Sequence, residues 1–306
     1  MTARAASHVL MIEPVEFRPN QETKASNVFQ QDIAPADLGA LAAEARRQHR
    51  VFRDLLIENG VAVTVTRSHP DTPDAPFCNN WFSTHPGGAP GGPAEDTMVL
   101  YPLLATTRRT ERRGDLIAML RDRYPNLIDY SGHEREGRFL ESTGSLCLDD
   151  QARVAYAALS ARTDRGLAET WARSLGYRLV AFRATDAGGT PYYHTNVMMF
   201  IGHGLAGVCL ESIGEGRDAV AAALADAGLE ILPISRTQIL AYCGNCLPLR
   251  NDLGEPLFAM STAAYDAFRG AERATIERHG RIVHADLSAI EQIGGGSARC
   301  LLGELF

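Results

Sequence analysis

Apolar and polar positions along the chain switch between a helical and an extended period, and the switch recurs. A helix-spaced apolar stripe of Leu38, Leu41, Ala42, Ala45, Phe52, Leu55 and Leu56 begins near Ala36-Asp37 and stops at Asn59-Gly60. A β-rich strand over 61–65 follows. The same order of helix, stop and strand returns four more times. A helix through Leu116, Met119 and Leu120 stops at Tyr124-Pro125-Asn126 before a strand over 127–130. Helices over 163–175, 216–227 and 261–279 stop at Gly176, Gly228 and Gly280 before strands over 177–182, 229–233 and 281–284. Those three glycines are equally spaced, which is the mark of a repeat architecture. Further strands fall between the units, over 97–101, 197–201 and 207–210, the last two forming a hairpin across Gly202-His203-Gly204. Five such units can close into a ring with strand ends meeting at its centre. A doubly wound sheet is the competing architecture, and it is set aside together with nucleotide binding for want of a phosphate loop.

Composition narrows the function classes. The 306 residues carry a formal charge of -7 and a pI near 5.7 without a basic run, which excludes a nucleic-acid surface and a polybasic membrane contact. Small polar substrates fit better. The start, Met1-Thr2-Ala3-Arg4, followed by an apolar stretch from Val9 to Ile12 that Glu13-Pro14 breaks, reads as neither a leader nor a membrane span. A cytoplasmic protein with one domain over 1–306 is expected, and a homo-oligomer stays open. Six cysteines in such a chain are expected to be reduced. Cys243-Gly244-Asn245-Cys246 has redox or zinc form, but no second ligand pair has zinc spacing, so no metal is expected and the two read as packed thiols. Pro86-Gly87-Gly88-Ala89-Pro90-Gly91-Gly92-Pro93 is expected to be a mobile loop, either a disordered insertion or, over 86–94, a gate above a site.

The residues with chemistry are spread along the chain. Cys300 follows Gly294-Gly295-Gly296-Ser297-Ala298-Arg299, where close backbone approach and a cation favour a thiolate. His194 in Tyr193-His194-Thr195-Asn196, Glu141 in Leu140-Glu141-Ser142-Thr143-Gly144, and Cys78-Asn79-Asn80-Trp81 are its candidate partners. Taken singly, each has a bland explanation as a core thiol, a structural histidine, a turn carboxylate or a turn pair. Together they point to covalent thiol chemistry on a C–N bond.

In that order these motifs, with Leu159-Ser160-Ala161-Arg162-Thr163 and Glu13-Pro14-Val15-Glu16-Phe17-Arg18-Pro19-Asn20, resemble the pentein superfamily of guanidine-modifying enzymes. That superfamily includes arginine deiminases, agmatine deiminases, dimethylarginine hydrolases and amidinotransferases, and the nearest branch is citrulline-hydrolase-like. The resemblance implies an α/β fold, a five-bladed αβ propeller, and no cofactor. It implies Cys300 as nucleophile, His194 as general acid and base, and Glu141 as the supporting carboxylate. Ser142 departs from a position where the branch more often has glycine. Arginine-processing members grip the guanidinium with two aspartates, at positions that here read Asn80 and Asn196. A desolvated guanidinium against two neutral amides would cost roughly several kcal/mol. A ureido group avoids that cost and can use both the donor and the acceptor of an amide. Arg162 corresponds to a position that can hold the substrate α-carboxylate, Asn79 and Trp81 line the same loop, and His85 and Asn20 are secondary candidates. The expected partner is therefore a ureido or guanidino amino acid, with citrulline giving ornithine, ammonia and carbon dioxide. The alternatives are an arginine deiminase or amidinotransferase, for which Asp149, Asp150 or Asp186 would replace the missing aspartates, and a noncatalytic pentein binding protein.

Overall fold

A computed structural model describes residues 5–306, so the Met1-Thr2-Ala3-Arg4 start lies outside the described residues. Its strands form five three-stranded sheets. In chain order of their outer strands the sheets are Gly303–Leu305 with His8–Glu13 and Ala62–Arg67; Phe82–His85 with Thr97–Leu100 and Asn126–Asp129; Leu146–Asp149 with Val154–Ala158 and Arg178–Phe182; Met199–Gly202 with Leu205–Val208 and Glu230–Pro233; and Leu247–Arg250 with Pro256–Ser261 and Arg281–Ala285. In each blade the first strand runs antiparallel to the middle one and the third runs parallel to it. A parallel neighbour needs a crossover, and the predicted helices supply it: Pro35–Glu58, Gly114–Arg121, Arg165–Leu175, Arg217–Asp226 and Gly270–His279. Antiparallel pairing of Gly303–Leu305 with His8–Glu13 closes the ring.

The third blade shows how sequence makes the unit. Asp164 accepts the Leu167 backbone N–H at 2.8 Å to start its helix, and Leu167, Ala168, Trp171, Ala172 and Leu175 lie on one buried face. Gly176 ends it at φ 71°, where an added Cβ would meet the Pro90 carbonyl oxygen at 2.5 Å. Trp171 donates to the Tyr101 hydroxyl at 2.6 Å, and its loss to alanine costs about 3–5 kcal/mol by the usual cavity effect.

Three expectations change here. The 261–279 helix is two helices, Thr262–Ala267 and Gly270–His279, because Phe268 is extended and buried while Glu272 caps the second at the Arg269 backbone N–H. The glycine-rich loop is held by turns, with Gly88 N–H on Pro93 O at 3.0 Å, Gly92 N–H on Ala89 O at 3.0 Å and Gly87 N–H on Asp96 at 2.8 Å. Gly202-His203-Gly204-Leu205-Ala206-Gly207 does carry the glycine spacing of a dinucleotide loop, but it forms the predicted hairpin between Met199–Gly202 and Leu205–Val208 rather than a strand-to-helix turn. No helix among the described residues is long and apolar enough to cross a membrane.

Candidate active site

Just before its first strand, each blade makes a short turn, and the turns meet at the centre of the ring: Cys78–Asn80, Ser142–Ser145, Thr195–Val197, residues 242–246 and Ala298–Leu301. They, or the residues that cap them, deliver Asn80, Glu141, His194, Asn245 and Cys300, all buried. Gly144 permits the close approach, since a Cβ there would meet Asn80 Nδ2 at 2.4 Å and His194 Cε1 and Nδ1 at 2.7 and 2.8 Å. Two residues before it, Ser142 has φ 46° and donates to Phe82 O at 2.7 Å. Its left-handed backbone explains why glycine would suit this position.

His194 Nε2 lies 2.8 Å from Glu141 Oε2. A carboxylate only accepts, so the proton sits on Nε2 and Nδ1 keeps its lone pair; Nδ1 and Asn80 Nδ2 both lie close to Gly144. Burial, opposed by the Glu141 bond, lowers the His194 pKa to about 4, so the ring is neutral at pH 7. Burial works to raise the Glu141 pKa, but Arg162 and His194 outweigh it and hold the group well below the usual carboxylate range. Glu141 Oε1 also accepts the Leu104 backbone N–H at 3.0 Å, and Arg162 Nη1 lies 3.3 Å from Oε2.

Asn80 is oriented by chemistry. Arg108 Nη1 donates to Asn80 Oδ1 at 2.8 Å, and because a guanidinium only donates, Nδ2 must face the other way. That Nδ2 is buried and has no hydrogen-bond partner among the described residues. Arg108 also forks onto Glu111, with both bonds at 2.9 Å.

Cys300 sits at the end of the glycine run, whose backbone packs on Phe77: a Cβ on Gly294 or Gly296 would come within 2.4 or 2.7 Å of that ring. Burial raises the Cys300 pKa, although the Ser297 and Asn245 bonds and the charges of Arg299 and Arg108 pull it down. The expected thiolate-favouring cation is thus overruled by burial. Arg299 points away, donating to Glu304 at 2.8 Å and to Leu302 O at 3.0 Å. The net direction favours the thiol over the thiolate.

Cys300, His194, Asn80 and Arg162 line one cavity of about 20 Å³, together with Asp74 and Arg108 among others. That is room for about one water. The expectation that neutral amides alone would meet the substrate's reacting end is corrected here, because the carboxylate Asp74 lines the same cavity. Its Oδ2 accepts from Asn20 at 2.8 Å and Thr23 at 3.2 Å, and lies 3.8 Å from Arg108. Glu111 faces Arg108 and Glu141 faces Arg162, so Asp74 is the cavity's carboxylate that no guanidinium among the described residues matches one to one. Arg162 also donates to Ser26 and Thr23 O and lies over the Tyr193 ring, leaving one of its five N–H bonds, on Nη1, uncommitted.

Other expected residues are not brought to this cavity. Asn196 donates to Thr143 O at 3.1 Å and lines a second cavity of about 750 Å³ on the far side of the turns. Trp81 is core, packed on Phe82 at 4.5 Å between ring centroids. Asn79 lies behind Asn80, 3.5 Å from the Thr143 hydroxyl. His85 lines the larger cavity and contacts Ser83 at 2.7 Å. Asp149 caps a turn and Asp150 bonds Tyr177, both at the larger cavity, while Asp186 closes a surface turn. The 86–94 loop also walls the larger cavity, not the small one. Sequence reasoning missed Arg108, Asp74 and Asn245. Of these, only Asn245 stands in a motif that the sequence singles out, Cys243-Gly244-Asn245-Cys246.

The sequence model of the family described as N,N dimethylarginine dimethylhydrolase, eukaryotic, matches residues 13–306. The chain belongs to this family. It thereby belongs to the pentein superfamily of guanidine-modifying enzymes, and the family is one of hydrolases. No curated protein matches the chain. Solved structures share its fold. The N-terminal domain of ArgZ, an arginine dihydrolase from the ornithine–ammonia cycle in cyanobacteria, bound to substrate, superposes with TM-score 0.75 at 14% identity over 97% of each chain. A variant of AgrE in complex with L-arginine gives 0.72 at 15%, covering 99% of this chain and 40% of the longer protein. A dimethylarginine dimethylaminohydrolase adduct with S-methyl-L-thiocitrulline gives 0.65 at 16%, over 98% of this chain and 100% of that one.

Proposed function

We propose that this family member is a cysteine-dependent hydrolase of the ureido group of citrulline or a similar compound. The observation that carries the reading is the bare N–H donor of Asn80, fixed by Arg108 and set beside His194. A guanidinium has only donors and would meet it N–H to N–H. A ureido oxygen accepts it, and accepts it more strongly as charge develops on that oxygen.

Cys300 gives its proton to His194 Nδ1 and attacks the ureido carbon. The oxyanion is held by Asn80 Nδ2. The C–N bond to the amino-acid side chain breaks, the departing amine takes the proton from His194, and an S-carbamoyl cysteine remains. Water, deprotonated by His194, releases carbamate and restores the thiol; carbamate falls to ammonia and carbon dioxide, and the amine is ornithine. Glu141 holds the ring in the tautomer that presents Nδ1. Arg162 and Asp74 suit the α-carboxylate and α-ammonium of an amino acid. The cavity is smaller than such a substrate, so binding one requires its lining, which includes Thr23 and Asn27, to rearrange.

A second reading, a guanidinium substrate, is favoured by Asp74, which adds a negative charge beyond those paired with Arg108 and Arg162, and by the arginine-type ligands of the structures that share the fold. Mass spectrometry of Cys300 trapped during turnover separates the two. The ureido reading predicts a carbamoyl adduct and ammonia release from citrulline; an amidino adduct with preference for arginine overturns it.

A further inference from the structure

We infer that Asn245 is the fifth member of the site, a hydrogen-bond donor to the reacting sulfur that also fixes the position of the Cys300 turn. The inference rests on the reading of Cys300 as nucleophile and deepens it.

Pseudo-fivefold order is the first argument. Four of the five central turns, with their capping residues, bring Asn80, Glu141, His194 and Cys300; residues 242–246 make the remaining turn, and Asn245 is its inward polar side chain. Geometry is the second. Asn245 Nδ2 donates to Cys300 Sγ at 3.2 Å and to Asn196 O at 3.0 Å, while Oδ1 accepts the Cys300 backbone N–H at 3.4 Å. The Asn245 carbonyl accepts the Arg299 N–H at 3.2 Å. One side chain therefore ties the nucleophile's turn to the turn that follows His194. The local backbone is built for the same contact. Tyr242 adopts φ 62°, a left-handed conformation that a bulky residue rarely takes, and Asn245 N–H closes on its carbonyl at 2.8 Å. Gly244 can be nothing larger, because a Cβ would lie 2.4 Å from Val197 O and 2.7 Å from Met198 Cα. The two flanking cysteines face elsewhere, Cys243 onto Ala264 O and Cys246 onto Cys243 O. The turn is thus shaped around its asparagine.

When Cys300 loses its proton, the sulfur becomes a better acceptor and the Nδ2 bond strengthens. That bond favours the thiolate in a setting where burial opposes it. Asn245→Asp keeps the acceptor for the Cys300 N–H, removes the donor and adds a negative charge.

The test is the pH profile of Cys300 alkylation by iodoacetamide, without substrate, in the unaltered protein and in Asn245→Asp and Asn245→Ser, with circular dichroism as the control for folding. The expected result is a profile displaced to higher pH in Asn245→Asp, with alkylation at pH 7.5 slowed about tenfold or more, and a smaller displacement in Asn245→Ser, whose hydroxyl can still donate. On the proposed substrate, kcat falls while KM stays within about threefold. Profiles of the folded variants within twofold of the unaltered protein overturn the inference, since a purely structural asparagine would not move them. Should neither variant fold, ¹⁵N-asparagine labelling of the unaltered protein decides: a side-chain amide resonance must titrate with the alkylation profile and stop titrating in Cys300→Ala, and its absence overturns the inference. A displaced profile in a protein that turns over neither citrulline nor arginine supports the Asn245 contact and overturns the functional reading. Turnover with an unmoved profile does the reverse.

Discussion

The two cavities on either side of the central turns differ in size and chemistry in opposite senses. The larger, about 750 Å³, is lined by the first strands of the blades, and its charged groups have partners within the fold: Arg299 with Glu304, Arg153 over the Tyr177 ring, Asp149 with its own turn. The smaller, about 20 Å³, collects a thiol, a neutral imidazole with a free lone pair, and an amide N–H that nothing among the described residues satisfies. Room without unmet polar demand is a by-product of closing five sheets into a ring. Unmet polar demand in a nearly filled space is where a reacting group belongs. Asn80 and Asn196, expected to act together on the substrate, fall on opposite sides of this divide.

The largest contrast expected lies between neighbours in sequence. Cys300→Ala should remove turnover by about 10⁴-fold or more, whereas Arg299→Ala, which alters the other cavity, should cost less than about tenfold in kcat. Steady-state kinetics on both variants checks this, and equal losses would erase the distinction between the cavities. Next comes the histidine pair. His194→Ala should lower kcat by about 10²–10⁴-fold, with Glu141→Gln affecting the same step less, while His85→Ala leaves kcat nearly unchanged.

The asparagines sharpen the comparison further. Asn80→Asp should reduce kcat/KM for citrulline by about 10²-fold, because the donor to the oxyanion is gone. Asn196→Asp loses the bond to Thr143 O and should instead destabilise the fold by about 1–3 kcal/mol, read as a lower Tm, without changing the ratio of citrulline to arginine turnover.

The smallest effect is on stability against pH. Burial lowers the pKa of His194 and His49 to about 4 and that of His85 to about 3. Between those values and the ordinary histidine value near 6.5 the unfolded chain binds more protons than the fold, so stability falls as pH drops from about 6.5 toward 4 and is recovered as pH rises. Urea denaturation across that range should show the slope. His85→Gln should flatten it with activity intact, and His194→Gln should flatten it with activity lost.

Much of the fold was legible because its helices are long enough to show a period and their stops are glycines at equal spacing. The first strands of four blades were missed, being three or four residues long and too short for alternation to register, and the middle strands His8–Glu13, Val154–Ala158 and Pro256–Ser261 were missed because they are buried almost throughout and show no alternation. In the site, Cys300, His194, Glu141 and Asn80 could be read because each lies in a recognisable run ahead of a first strand. Arg108 and Asp74 could not. Arg108 is one of two arginines in a polar 3₁₀ turn, and Asp74 one of two aspartates in a proline-rich loop, and only tertiary packing buries them against each other. Asn245 was hidden by its flanking cysteines, which drew attention to metal and redox chemistry. The side-chain direction that separates Asn80 from Asn196 depends on partners far away in sequence, Arg108 for one and Thr143 for the other.

The most direct test of the central claim, that a bare amide donor selects a urea-like group, is the ratio of kcat/KM for citrulline to that for arginine, measured in the unaltered protein and in Asn80→Asp. The account predicts a ratio well above one that falls by about 10²-fold in the variant. A protein that already prefers arginine, or a ratio that Asn80→Asp leaves unchanged, would contradict it.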